Sequence, residues 1–214
     1  MLLRIEGLRV KYGAAEVVRG ADLYIKKGEC VGLVGESGCG KTTVGLAITK
    51  LIPEHKGEIV SGSIFFEGWD ILKLDTDELR KIRGKKVAYV FQEPSSSLNP
   101  VFTVHEQIKE ALTDKNMAQE HIAGILKSVG LEKIADKKKV YPHELSGGMQ
   151  QRVMIAMAIA SKPDLLILDE PTTALDVSVQ NQILELVRGL KKTLDLSILF
   201  ISHDLRTVFN MADR

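Results

Sequence analysis

Hydrophobic and polar positions follow two periods along this chain. Across residues 2–10 and 16–25 they alternate, which predicts half-buried strands, and Gly13 marks the turn between them. A third such strand is predicted over 62–67 and is closed by Gly68. Four shorter runs do not alternate: Cys30–Val34, Val87–Phe91, Leu165–Leu168 and Ile198–Ile201 are nearly continuous in apolar residues. Such runs suit strands covered on both faces, the habit of parallel sheets. Helix-period segments separate them. Residues 41–51 form one helix, stopped before Pro53 because the residue preceding a proline avoids helical geometry. Residues 178–192 form another, with Val179, Ile183, Leu186, Val187 and Leu190 on one face. The class that follows is α/β with a mainly parallel sheet and N-terminal antiparallel strands.

Residues 93–160 break this rhythm. They are mostly helical, over Val104–Leu112, Gln119–Val129 and Gly147–Ile159, and they lie between two core strands. The reading is a helical subdomain (93–160) inserted into an α/β core (1–92 and 161–214), together one domain, which suits 214 residues.

Composition narrows the partners. An apolar content of 44% supports a proper core, and a net charge of +1 offers no bulk electrostatic case for nucleic acid or an anionic membrane. No stretch approaches the roughly 18–20 apolar residues of a membrane helix. The N-terminal Met-Leu-Leu-Arg-Ile-Glu-Gly puts charges where a signal peptide needs apolar residues, so a cytoplasmic location is expected. Two cysteines, Cys30 and Cys39, are too few for a disulfide framework and read as small structural residues. The basic run Lys137–Lys139 reads as a solvated loop face rather than a phosphate or lipid site.

Candidate chemistry begins at Gly35-Glu36-Ser37-Gly38-Cys39-Gly40-Lys41-Thr42, which follows a predicted buried strand and opens a predicted helix. A triphosphate is dense negative charge; successive backbone N–H groups and a helix N-terminus answer it. Glycines permit the tight curvature, Lys41 reaches the β- and γ-phosphates, and Thr42 offers a hydroxyl to Mg²⁺. Thr43 continues the expected ATP contact. A second element, Asp164–Glu170, is a buried strand ending in two acids. Asp169 is placed to hold Mg²⁺ and Glu170 to polarise an attacking water. A third is Leu145-Ser146-Gly147-Gly148-Met149-Gln150-Gln151-Arg152, again a glycine-rich helix start. One chain therefore carries two phosphate-binding devices. Two subunits arranged head to tail would supply one device each to a shared ATP, with two-fold symmetry. A small-molecule kinase would explain the first device and Asp169, but not the second.

Leu145–Arg152 resembles the signature motif of ABC-transporter ATPases, and other family marks fall in order. Tyr12 resembles the aromatic residue that stacks on adenine. Gln92 resembles the Q-loop glutamine that touches Mg²⁺ and the attacking water and senses the transmembrane partner. Ala174-Leu175-Asp176 resembles the D-loop, and His203 the switch histidine that contacts the γ-phosphate. The resemblance covers essentially the whole chain. It implies ATP and Mg²⁺ as ligands, a second ATPase subunit and membrane-spanning permease subunits as partners, and peripheral attachment at the inner membrane face. A finer likeness lies in Phe91–Pro100 and Tyr141–Gly148, which are similar to the ATPases of oligopeptide, dipeptide and nickel importers. That likeness implies uptake of a peptide or similar small solute, with a solute-binding protein as an indirect partner. The alternatives are a soluble, non-transport ABC ATPase, or a piece that binds ATP with little turnover. Members of this family continue past the position of Arg214 with two further strands and, in this group, a cysteine-bearing extension. The expectation is therefore a C-terminally shortened chain whose last helix, from Asp204, lacks the strands that follow it.

Overall fold

The computed structural model describes residues 1–53, 55–112, 119–173 and 175–214. In chain order its strands are β1 (Leu3–Tyr12), β2 (Ala15–Ile25), β3 (Cys30–Val34), β4 (Gly57–Phe66), β5 (Trp69–Asp70), β6 (Val87–Val90), β7 (Leu165–Asp169) and β8 (Ser197–Ser202). Its helices are α1 (Lys41–Ile48), α2 (Thr76–Ile82), α3 (Pro94–Ser97), α4 (Val104–Ala111), α5 (Gln119–Ser128), α6 (Glu132–Ala135), α7 (Gly147–Ile159), α8 (Val177–Leu194) and α9 (Leu205–Met211). The described chain packs as two compact units: residues 1–83 with 197–214, and residues 84–196.

The first unit holds an antiparallel sheet in the order β2-β1-β4-β5. Its core face follows the alternation predicted from sequence, with one interruption. Leu3 and Ile5 are buried, then Leu8 and Val10, so the parity flips between Ile5 and Leu8. A register shift at that point absorbs the flip on both flanking pairings. Gly7 takes φ 56 there. Gly62, at φ 103 on β4, has Gly7 and Leu8 backbone atoms within 2.8 Å of where a Cβ would stand. Only glycine admits both the conformation and the approach. Each fully buried aliphatic side chain on this face contributes about 1.5–3 kcal/mol of burial.

The same unit contains a parallel pair, β3 with β8, registered from Cys30↔Ile198 to Val34↔Ser202. Every residue of β8 is buried, as its unbroken apolar run predicts. On the other edge of β3 the backbone of the last residues continues the ladder: Asp213 N–H donates to Cys30 O and Gly32 N–H to Arg214 O, both at 2.8 Å. Arg214 also stacks over Tyr24 at 4.1 Å from the ring centroid. The helix from Asp204 is thus tied back to β3 by the residues that follow it. α1 ends at Ile48, short of the predicted residue 51. Lys50 adopts φ 50 and closes a two-bond terminus, Lys50 N–H to Ala47 O and Leu51 N–H to Leu46 O, each 2.9 Å.

The second unit is built on another parallel pair, β6 with β7, from Val87↔Leu165 to Val90↔Leu168. β7 is buried throughout. The helical segment α3–α7 lies in this unit together with β6, β7 and α8. The buried face of α8 carries Ile183, Leu184, Val187 and Leu190. Among the described residues no helix is long and apolar enough to cross a membrane. Cys30 is buried, Cys39 exposed, and neither is in a disulfide.

Candidate functional site

Both parallel pairs present their chemistry at the C-terminal strand ends, where open α/β sheets hold ligands. In the first unit, Val34 pairs with Ser202, so Gly35 and His203 leave neighbouring strands at the same level. The phosphate loop runs from Gly35 into α1. Gly38 sits at φ 82, and Gly40, the residue capping α1, at φ 97. A Cβ on Gly40 would stand 2.8 Å from Val17 O, and one on Gly35 would stand 2.9 Å from Cys39 Sγ. The loop is therefore a close-fitting turn that ends at a helix start without a side-chain cap. Lys41 is 7% exposed, and its ammonium donates to Gly35 O at 2.8 Å and Glu36 O at 2.7 Å. Cys39 Sγ lies 3.9 Å from the same ammonium. Glu36, Ser37 and Thr42 are exposed, while Thr43 is buried in the first turn of α1. These donors, a cation and a helix N-terminus, are the set that fits phosphate.

Tyr12 closes β1, half-buried, with its ring edge against Gly57, where a Cβ would meet Tyr12 Cε1 at 2.7 Å. His203 is exposed at the end of β8. Its neighbour Asp204 caps α9, accepting from Arg206 N–H at 3.0 Å and from the Thr207 hydroxyl at 2.5 Å. The Thr207 hydrogen bond holds the Asp204 carboxyl below its usual pKa.

In the second unit, the β6–β7 register brings Gln92 and Glu170 together: Gln92 Nε2 donates to Glu170 Oε2 at 3.3 Å. The Thr173 hydroxyl donates to that same oxygen at 2.9 Å. Glu170 itself takes φ 48, a left-handed conformation that side chains rarely adopt and that gathers at functional sites. Asp169, 2% exposed, accepts from the Tyr89 hydroxyl at 2.8 Å. A buried carboxylate oriented in this way, like the Thr42 hydroxyl of the first unit, offers the hard oxygen donor that Mg²⁺ prefers.

The two other predicted elements meet within this unit. Ser146 caps α7, its hydroxyl accepting from Met149 N–H at 3.4 Å. Asp176 caps α8, its Oδ1 accepting from Val179 N–H at 3.0 Å. Gly148 lies against Val179, and a Cβ there would stand 2.6 Å from Val179 Cγ1, so the two helix starts share one surface. Gly147 faces Leu175, with 3.6 Å from a Cβ position to Leu175 Cδ2. Ala174 of the predicted D-loop lies outside the described residues.

The two starts are also built alike. Gln150, four residues past Ser146, ties back to Pro142 O at 2.8 Å and Leu145 O at 3.3 Å. Gln180, four residues past Asp176, ties back to Thr172 O at 3.1 Å and Leu175 O at 2.9 Å. Arg152 donates to Val129 O at 2.7 Å and Gln182 Oε1 at 3.2 Å, fixing α7 to its surroundings.

Sequence reasoning missed Tyr89, Thr173 and the paired glutamines. The glutamines had a readable signal, since Leu-Ser-x-x-Met-Gln and Leu-Asp-x-x-Val-Gln repeat one pattern. Tyr89 had none, because only the register of β6 against β7 sets it beside Asp169.

A strand, a phosphate loop and a helix, with an acidic strand end elsewhere in the chain, define the fold class of P-loop nucleotide-binding cassettes. Residues 18–173 match the family model for ABC transporter, and the chain belongs to the ABC transporter family. It is 45% identical over its whole length to an oligopeptide transport ATP-binding protein, OppD, of Bacillus subtilis. Over 92% of its length it is 49% identical to AppD, another oligopeptide transport ATP-binding protein of that organism. It spans 62% of the length of each of these two relatives. Among solved structures it resembles a dimeric, post-hydrolysis ATP-binding cassette bound to ADP and Pi, at 30% identity and a TM-score of 0.82, over 96% of this chain and 90% of that one. It also resembles a dimeric bacterial ABC transporter cassette, at 28% identity and a TM-score of 0.84, over 99% of this chain and 92% of that one.

Proposed function

We propose that this chain is the ATP-binding and ATP-hydrolysing part of an ABC importer that takes up peptides or a similar small solute. The observation that carries the reading is the pairing of two phosphate-binding helix starts in one chain, at Gly40 and at Ser146. The names of the oligopeptide relatives support the solute class, and the dimeric solved cassettes support a second subunit. The permease partners, the inner membrane face and the indirect solute-binding partner follow from the same importer reading. Residues 93–160 are assigned the helical signature subdomain, between core segments 1–92 and 161–214.

In this reading Gly35–Thr43 hold the phosphates of ATP, and Tyr12 lies against adenine. Ser146, Gly147 and Gly148 face the γ-phosphate of a nucleotide held by a second subunit, with Asp176 beside them. Thr42, Gln92 and Asp169 are the residues that would hold Mg²⁺, which neutralises phosphate charge when bound. Glu170 accepts the proton of the attacking water. The hydrogen bonds from Gln92 and Thr173 both fall on its Oε2 and orient the carboxylate that would act as base. Lys41 and His203 stabilise negative charge on the transferred group.

Glu170→Gln tests this. The variant keeps the shape and the ATP affinity, loses turnover by about 10²–10⁴-fold as general-base catalysis does, and accumulates an ATP-bound dimer on size exclusion. Turnover at the wild-type rate sinks the assignment.

A further inference from the structure

One cavity of the second unit is lined by none of the residues assigned a nucleotide role. It measures about 400 Å³ and is walled by α4, the start of α5 and the segment ending at Tyr141. His105 forms part of its wall and is 8% exposed. Its Nε2 lies 3.0 Å from Ala135 O. A carbonyl only accepts, so Nε2 carries the proton in that bond. Nδ1 has no hydrogen-bond partner among the described residues. Buried polar atoms are nearly always paired, so an orphan on a cavity wall marks a place where a ligand supplies the partner.

The charge around it indicates the ligand. Lys109, Lys138 and Lys139 line the same cavity, and no ion pair engages them among the described residues. The opposing carboxylate on the wall is Glu106. Thr103 already holds it, through its backbone N–H and its hydroxyl, both at 2.7 Å. Three cations therefore face one acid whose acceptor capacity is partly spent. The lysines call for an anion, and Nδ1, as a lone pair, calls for a donor. Hydrogen phosphate and phosphomonoesters in their monoanionic form offer both, charged oxygens and a P–OH; sulfate and carboxylate at neutral pH offer only the first.

We propose that this cavity binds a phosphate-bearing anion, with Lys109, Lys138 and Lys139 on its charged oxygens and His105 Nδ1 accepting its P–OH. The basic run that reads in sequence as a solvated face is then one wall of a site. Free phosphate and a phospholipid headgroup share this chemistry.

The test uses the chain labelled with ¹⁵N-histidine and carrying Lys41→Ala, so that the phosphate loop does not compete. His105→Gln identifies the resonance. Inorganic phosphate, sulfate at equal ionic strength, and phosphatidylcholine vesicles with and without phosphatidic acid are titrated separately. A saturable His105 shift is expected, weakened about fivefold or more by Lys138→Ala with Lys139→Ala, since charge-assisted contacts are lost. Sulfate should be weaker by a similar factor. Saturation by free phosphate identifies a soluble source, and saturation by phosphatidic acid vesicles alone identifies a headgroup; either upholds the site. No shift in any arm, a shift that ignores the lysine replacements, or an equal response to sulfate overturns it.

Discussion

The helix starts at Gly40 and Ser146 handle the same problem by opposite means. Gly40 is left-handed, at φ 97 and ψ 7, and α1 has no side-chain cap. Ser146 is extended, at φ −66 and ψ 159, and covers one donor with its own hydroxyl through a long 3.4 Å bond. The first start depends on a backbone turn that no other residue type fits. The second depends on a replaceable cap that a stronger acceptor can displace at small cost. Under the proposed function, the loop with the first design holds the chain's own ATP, and the surface with the second engages a nucleotide held by a partner subunit.

The largest way to break this comparison is Gly40→Ala. The new Cβ meets Val17 O at 2.8 Å in a left-handed conformation, and the combined strain costs about 1–3 kcal/mol. The expected outcome is loss of the rise in melting temperature that ATP with Mg²⁺ produces in the wild type; an undiminished rise would remove the close-fitting loop from the argument. Next is Tyr89→Phe, which takes a donor from the buried Asp169. Losing that hydrogen bond to a charged acceptor costs about 1.5–3 kcal/mol. The Mg²⁺ needed to support half-maximal binding of a fluorescent ATP analogue should rise roughly fivefold or more, while Mg²⁺-free binding stays constant.

Ser146→Ala comes third. Losing the cap destabilises the chain by about 1 kcal/mol. ATP affinity of the single chain should hold within about twofold, since one device remains intact, and ATP-dependent association measured by sedimentation should fall. Equal losses in both assays would show that the two starts are not separate devices. The smallest effect concerns Asp204, beside His203. Its folded pKa lies below the ordinary 3.8, so its stabilisation is present above that value and lost as pH falls through the lowered folded value. Asp204→Ala should cost about 0.5–1 kcal/mol in unfolding at pH 7, the usual worth of a capping acid. That cost should shrink as the pH is lowered below 3.8.

Much of the site was legible because motif chemistry is local. The phosphate loop requires strand, glycines, lysine and helix in immediate succession, and a reader needs only those eight residues and their flanks. The strand classes were legible for a related reason: β7 and β8 are buried on both faces, and an unbroken apolar run is the only pattern that tolerates this. The parity flip between Ile5 and Leu8 in β1 went unread, and its accommodation could not be read locally, because Gly62 stands on another strand. The short helix α2 went unread although its capping box, Asp75 with Glu78, is written in the sequence.

By itself the sequence determined the family, the two helix starts and the identity of the acids at the end of β7. These depend on residue type and on spacing within a few positions, which the chain carries with it everywhere. Only the tertiary structure decided which side chains tune them. It set Tyr89 on Asp169 and Gln92 on Glu170 through the parallel register of β6 and β7, and it set Gly148 against Val179 through the packing of α7 on α8. It also brought Lys138 and Lys139 to His105 and Lys109 of α4. Each of these meetings joins residues about 30 or more positions apart, or on separate elements. Hydrogen bonds and charge act over a few ångströms of space, whatever the distance along the chain.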